Sequence, residues 1–368
     1  MTKHHTSLRA FLCRQTWRDW EESVKRLLPQ IHAVDQTATR IWFRFYPLDL
    51  AEAFEKETDP ESLARKLVLM GRYRLHDHID TSHRFLYGHR YWPTVKQVTL
   101  DRIQTNSVPA DLTELISDVA TRAAKQLDVE LSLLLGISAV GVMTLRQVEA
   151  EAFRALPGAV SLHATALAQS PDGILKARAR DDRQWSFGLS WGLGKKWTVT
   201  FDENLTDASF RLIHGQTLTG AAANDKRDHH LRNSRCIGRE GPIPVQCRSA
   251  FCGTCWIGVL GGAEKLSPVE DLERDRNREF GYINTDDPKP FIRLACQSVA
   301  FGAVSFTIPP WNGIVGRFFQ SRRTGDAPTG QTPPSRCAIA DGGERIVIKL
   351  HGIFFGQLPP PPAERVPR

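Results

Sequence analysis

The chain has 368 residues, 41% hydrophobic and 24% charged, which is an ordinary soluble balance with length for two or three domains. The formal charge is +7, but residues 197–310 carry a net −1 while residues 1–196 and 311–368 carry +4 each. No finger, helix-turn-helix or RNA-binding signature accompanies the excess, so it reads as solvated Lys and Arg on helix faces plus a basic tail, with a surface for an acidic redox partner as the sharper alternative.

The opening stretch MTKHHTSLRAFLCRQTW has no apolar core and no small-residue cleavage site. The expectation is a cytoplasmic protein without a signal peptide. Next, Trp17, Trp20, Val24, Leu27 and Leu28 recur at helical spacing, which predicts an amphipathic helix. PLDLAEAFEK and DPESLARKLVLM predict two more, the second opened by Asp59-Pro60. Leu112, Leu115, Ile116, Val119 and Ala123 form the stripe of another. The longest apolar run, Leu131 to Leu145, is 15 residues, too short to span a bilayer and expected to be buried. TLRQVEAEAFRAL continues the helical pattern until Pro157-Gly158.

Residues 1–170 are therefore expected to form a mostly helical domain, and 171–196, rich in Gly, Ser and charge, a connector. The pattern then changes to period two. KWTVTFDE and ASFRLI predict strands, GQTLTGAAAND a short helix, and residues 225–243 a loop. WIGVLGG and AVSFTIP predict strands that follow the cysteine cluster. Residues 311–368 read as a C-terminal extension: a flexible linker, one late strand in ERIVIKLHGIFF, and a Pro-rich tail.

Seven cysteines in a chain without an export signal make a poor disulfide framework and point to metal ligation. Three crowd into CRSAFCGTC: Cys247, Cys252 and Cys255, spaced C-x4-C-x2-C. With a distant fourth cysteine, that is the plant-type [2Fe–2S] spacing. Thiolates are soft ligands for iron–sulfide clusters, and the concentrated negative charge demands inward-pointing backbone N–H groups. Ser249, Ala250, Gly253 and Thr254 are small enough for such a path. Cys296, just before a predicted strand, is the best fourth ligand. The competing readings are structural zinc and free buried thiols; structural zinc prefers paired C-x2-C knuckles, and only one such pair is present.

Residues 197–310 resemble a plant-type [2Fe–2S] ferredoxin domain. The order of parts is similar: hairpin, GQTLTGAA opening a helix, IPVQCRSAFCGTC as cluster loop, RLACQ with the last ligand, AVSFTIP as closing strand. The resemblance implies a β-grasp fold, a mixed sheet packed on one helix, and with the helical pattern of residues 1–170 the expectation is an α+β protein. Two features depart from the family. Ala250 stands where Gly is usual, which matters only if φ there is positive. The Cys255–Cys296 gap is also long, and it contains a predicted helix with a turn-rich loop suited to covering the cluster or meeting a partner.

LHDHIDTSHRFLYGHRYWP holds His76, His78, His83 and His89 with Asp77, Asp80, Tyr87, Tyr91 and Trp92. A second metal or haem site competes here with ordinary packing, and packing is the expectation because no H-E-x-x-H or C-x-x-C-H accompanies the histidines. Asp228, His229 and His230 with Cys236 match no metal-site spacing and read as a charged loop. No P-loop, nucleophile elbow or dinucleotide fingerprint is present.

These readings lead to one-electron transfer through a single [2Fe–2S] cluster, with Phe251 and Trp256 limiting solvent access and the helical domain docking a reductase or larger oxidoreductase complex. A non-catalytic carrier is favoured over an enzyme. The alternatives are a redox-sensing regulator and an oxidoreductase with a second cofactor near the histidines. No nucleic-acid partner and no transmembrane segment are expected.

Overall fold

The computed structural model describes residues 5–45, 75–105, 109–178, 180–181, 194–231, 236, 240–250, 253–279 and 290–308. The expected helices over 47–70 and the late strand and tail lie outside these residues.

The helical part follows from its apolar spacing. Helices α1 (His5–Arg14) and α2 (Trp17–Leu27) come first, and a capping box between Thr16 and Asp19 starts α2. Trp20, Val24 and Leu27 are buried. Pro29 tightens the chain into a 3-10 turn before α3 (Ala33–Phe45). Two further 3-10 turns, Leu75–His78 and Tyr87–Tyr91, lead into α4 (Trp92–Gln104). Asp111 caps α5 (Leu112–Leu127), and all five residues of its expected stripe are buried.

Helix α6 (Ser132–Ala155) is the central element, contacted by α3, α4 and α5. It is longer than the 15-residue run that marks it in the sequence, because the polar Arg146–Ala155 stretch continues it across a non-helical step at Glu149 (φ 66°). By length and composition alone it is long and apolar enough to cross a membrane, yet 78% of its apolar window is buried against protein. Short helices α7 (Ala164–Leu167) and α8 (Pro171–Ala177) follow.

The C-terminal part is a five-stranded mixed sheet of order β2-β1-β7-β4-β5. Its strands are β1 (Lys196–Thr200), β2 (Ser209–Ile213), β4 (Trp256–Gly261), β5 (Ile292–Leu294) and β7 (Val304–Thr307). Among the described residues of this sheet, β1–β7 is the one parallel pair. A second ladder joins β3 (Gln216–Thr217) to β6 (Val299–Ala300). Helix α9 (Leu218–Ala222) packs beside β2 and buries Leu218, Ala221 and Ala222. Helix α10 (Asp271–Glu279) lies between β4 and β5 in sequence. The molecule is thus α+β, with helices preceding the sheet.

Strand alternation sorts the sheet into two faces. Val199, Phe210, Val304 and Phe306 share one face by register, and Gly258, Ser305 and Thr307 share the other. The second face meets the helical part. Ile41 of α3 lies on Gly258. Arg178 donates through Nε and Nη2 to both oxygens of Glu203, each at 2.8 Å, and through Nη1 to the Val34 carbonyl. Ser305 Oγ donates to Glu203 Oε1 at 2.6 Å. Asp181 accepts from the Ala303 N–H and from Lys265. The helices and the sheet belong to one compact unit, Met1–Pro328.

Candidate metal centre

The cysteine loop sits where α9, β4 and the β5–β6 turn come together. Cys255 is the residue before β4, and its carbonyl accepts from Ala295 N at 3.0 Å. That bond holds the first cysteine strand to the turn carrying Cys296. Leu218 N and Thr219 N in turn donate to the Ser298 and Ala295 carbonyls, tying α9 to the same turn.

Two thiols meet here, with a third in their neighbourhood. The Cys296 side chain hydrogen-bonds that of Cys255, receives the Ala250 N–H, and lies within electrostatic reach of Cys247. Its pKa is pulled down to about 7, mainly by Cys255, with Gln297 and the Ala250 N–H assisting and burial opposing. Gln297 Nε2 stands 3.3 Å from Cys296 Sγ and 3.5 Å from the Arg248 carbonyl. Ser249 N points at Cys247 Sγ at 3.5 Å. Cys255 and Cys296 are buried, and Cys247 is partly exposed. Cys252 and Phe251 lie outside the described residues.

The loop path explains the N–H donors. Arg248, Ala250 and Gly253 have φ of 57°, 60° and 61°. Left-handed residues alternating along a chain turn successive N–H groups toward one concave side, a nest for an anion. Ala250 is therefore a left-handed non-glycine, 1% exposed, so its Cβ carries backbone strain. The donor set, soft thiols with N–H groups aimed at sulfur, fits an iron–sulfur cluster.

Residues 236–300 match the family model of the 2Fe-2S iron-sulfur cluster binding domain. The chain thus carries a [2Fe–2S] cluster-binding domain, ferredoxin-like in its sequence, and the chemistry of that domain is iron–sulfur electron transfer. No curated protein and no solved structure gave a significant match to the chain.

Around the [2Fe–2S] domain the sequence left three residues unremarked. Glu273 of α10 is 1% exposed and Arg293 of β5 is fully buried. Arg293 Nε and Nη2 donate to the two Glu273 oxygens at 2.9 Å, and Leu294 N adds a third bond at 2.7 Å. Gln297 is the third, and its place beside Cys296 was the only available signal. The expected shield Trp256 is 2% exposed.

The histidine stretch forms part of the helical core. His83 and His89 are both buried, with Nδ1 atoms 2.8 Å apart. His83 Nε2 lies 3.2 Å from the Ile79 carbonyl, so it carries the proton there and its Nδ1 accepts from His89. Burial first, then the other histidine's charge, drives His83 well below its ordinary pKa. Burial and the charge of Arg84 lower His89 to about 4. His76 is exposed and His78 half-buried. Asp80 accepts from Trp92 Nε1, Lys96 Nζ and Gly158 N.

In the 225–243 loop, His229 pairs with Asp225 at 3.0 Å, His230 Nδ1 bonds the Cys236 carbonyl, and Cys236 Sγ bonds the Pro242 carbonyl. Among the described residues, no three Cys, His, Asp or Glu side chains close around a single ion.

Proposed function

We propose that this protein is a one-electron carrier in which Cys247, Cys252, Cys255 and Cys296 hold one [2Fe–2S] cluster. The Cys255–Cys296 thiol contact, with Cys247 in electrostatic reach, inside the matched segment carries this reading. When bound, the cluster takes up and returns a single electron, near about −400 mV for plant-type ferredoxins. The chain supplies the rest. The Ala250 N–H and the Gln297 amide donate to Cys296 sulfur and favour the more negative, reduced state. The Ser249 N–H approaches Cys247 sulfur. Buried Trp256 excludes water behind Cys255.

We read the β2-β1-β7-β4-β5 order, with β1 and β7 parallel, as a β-grasp sheet. One face of that sheet meets α3, so electrons enter and leave from the loop side, where Cys247 and Arg248 retain exposure. The helical part then backs the sheet and offers docking surface for a protein redox partner. A reducing compartment such as the cytoplasm keeps the thiolates available.

The test is iron and acid-labile sulfide analysis of anaerobically purified protein, with EPR after dithionite reduction. Two irons and two sulfides per chain with a rhombic S = 1/2 signal are expected, as in plant-type [2Fe–2S] proteins. Loss of that signal in Cys247→Ala would support the ligand set. Zinc alone, or no metal, would refute the reading.

A further inference from the structure

Cys296 occupies a short turn from Leu294 to Val299, and both ends of that turn are gripped by one segment. At the leading end, Glu273 accepts from the Leu294 N–H and from Arg293 in a two-pronged pair. Arg293 Nη1 continues to the Ser267 carbonyl at 2.8 Å. At the trailing end, Ser267 N donates to the Val299 carbonyl at 2.8 Å, and Val299 N donates to Ser267 Oγ at 3.2 Å. Ser267 and Glu273 both belong to the stretch between Cys255 and Cys296 that is longer than in the ferredoxins this domain resembles. Inside the turn, Gln297 N and Ser298 Oγ both bond the Leu294 carbonyl, so a displacement of Leu294 is passed to the residues flanking the thiol.

A buried ion pair is a poor device for stability alone, since well-packed apolar side chains often replace it without loss. Its value is directional: a guanidinium and a carboxylate facing each other in two parallel bonds fix both backbones in register. The same chain has a comparison in Arg178–Glu203, also two-pronged, which ties the helical part to the sheet and whose further bonds go to Val34 and Ser305.

We infer that Glu273 and Arg293 are positioning residues for the fourth cluster ligand: through them α10 fixes where Cys296 stands and how firmly its iron is held. This rests on the ligand set proposed above.

The experiment uses the full-length holoprotein and four variants: Glu273→Gln, the double variant Glu273→Leu/Arg293→Met, Glu203→Gln and Cys296→Ser. Three readouts are compared: iron release to bathophenanthroline, the EPR spectrum after dithionite, and thermal unfolding. Glu273→Gln is expected to release iron about 10–100-fold faster, the usual effect of losing a partner behind a metal ligand, and to shift the g values. The double variant keeps the core apolar and filled. It should show the same spectral shift even when it melts with the parent, and it decides the matter if Glu273→Gln does not fold. Glu203→Gln should melt early with an unchanged spectrum. Parental EPR and parental iron release in the double variant would overturn the inference, as would a shift in Glu203→Gln equal to that in Glu273→Gln. In either case an altered spectrum in Cys296→Ser leaves the ligand set standing. An unchanged spectrum in Cys296→Ser removes Cys296 from the ligand set, and the positioning role with it.

Discussion

Ile41 of α3 rests directly on the α-carbon of Gly258 in β4: a Cβ built there would stand 2.6 Å from Ile41 Cγ2 and 2.9 Å from its Cδ1. Gly258 is three residues past Cys255, so the helical part reaches the strand that leaves the cysteine loop. The closest approach is possible only because the strand has no side chain at that point. Gly258→Ala should force α3 outward and destabilise the fold by about 1–3 kcal/mol, the range for overpacking a filled core. Ile41→Val in the same background removes one methyl and should recover part of the loss. Urea unfolding of the single and double variants measures both. Additive effects would mean that the two residues do not press on each other.

Ala250 supplies a prediction of opposite sign. With φ at 60° and almost no exposure, its Cβ sits in a conformation that disfavours L-residues by roughly 1–2 kcal/mol. Glycine removes that strain and returns some of the gain as extra freedom of the unfolded chain, about 0.4–1 kcal/mol. Ala250→Gly should therefore be stabilising by up to about 1 kcal/mol in denaturant unfolding, with the EPR spectrum retained. A destabilised variant would show that the methyl's packing outweighs the backbone strain.

Gln297 gives an electrochemical prediction. Its side-chain amide donates toward Cys296 Sγ at 3.3 Å, and in the ligand set proposed above a donor to that sulfur favours the reduced cluster. Gln297→Leu keeps the bulk and loses the donor. One hydrogen bond is worth about 1 kcal/mol, so the midpoint potential should fall by roughly 40 mV. Protein-film voltammetry on the parent and variant reads this directly. An unmoved potential would mean that the Gln297 amide spends its bond on the Arg248 carbonyl instead.

Part of this picture was legible in the sequence, where local chemistry repeats over short distances. The period-two runs around Val199 and Phe210 and the apolar runs around Ile257 and Phe306 gave the strands, and the spacing from Cys247 to Cys255 marked the cluster domain. The Leu112–Ala123 stripe gave α5. What escaped depends on contacts between distant segments. Nothing local separates Glu273 from Glu270 or Glu279 in EDLERDRNRE; only the fold brings it to Arg293, twenty residues on. The coverage of the sheet by α3 is equally invisible, because Gly258 reads in sequence as a weak strand residue rather than as a seat for Ile41. The histidine pair was ambiguous for the same reason: burial, which decides its protonation, is a property of the assembled helices.

That burial makes the helical part pH-sensitive, with two opposing contributions. Asp35 accepts from Tyr87 N at 2.6 Å and Gly88 N at 2.7 Å. Burial pushes its pKa from 3.8 up to about 6, against the pull of those two N–H groups and the charges of Arg178 and Arg90. Its folded state binds a proton more readily than the unfolded chain, so its contribution to stability is lost as pH rises from about 3.8 to about 6. His89 behaves oppositely. The unfolded imidazole binds the proton more readily, so stability is lost as pH falls from 6.5 to about 4. His83, which burial also holds well below its ordinary value, adds to the acid loss. Two lowered histidines act against one raised carboxyl, so the helices should melt earlier at pH 4.5 than at pH 6.5. Asp35→Asn removes the opposing contribution. The variant should therefore lose more stability than the parent between those two pH values, as read from the melting of far-UV ellipticity. Parallel losses in the two proteins would show that Asp35 does not titrate in this window.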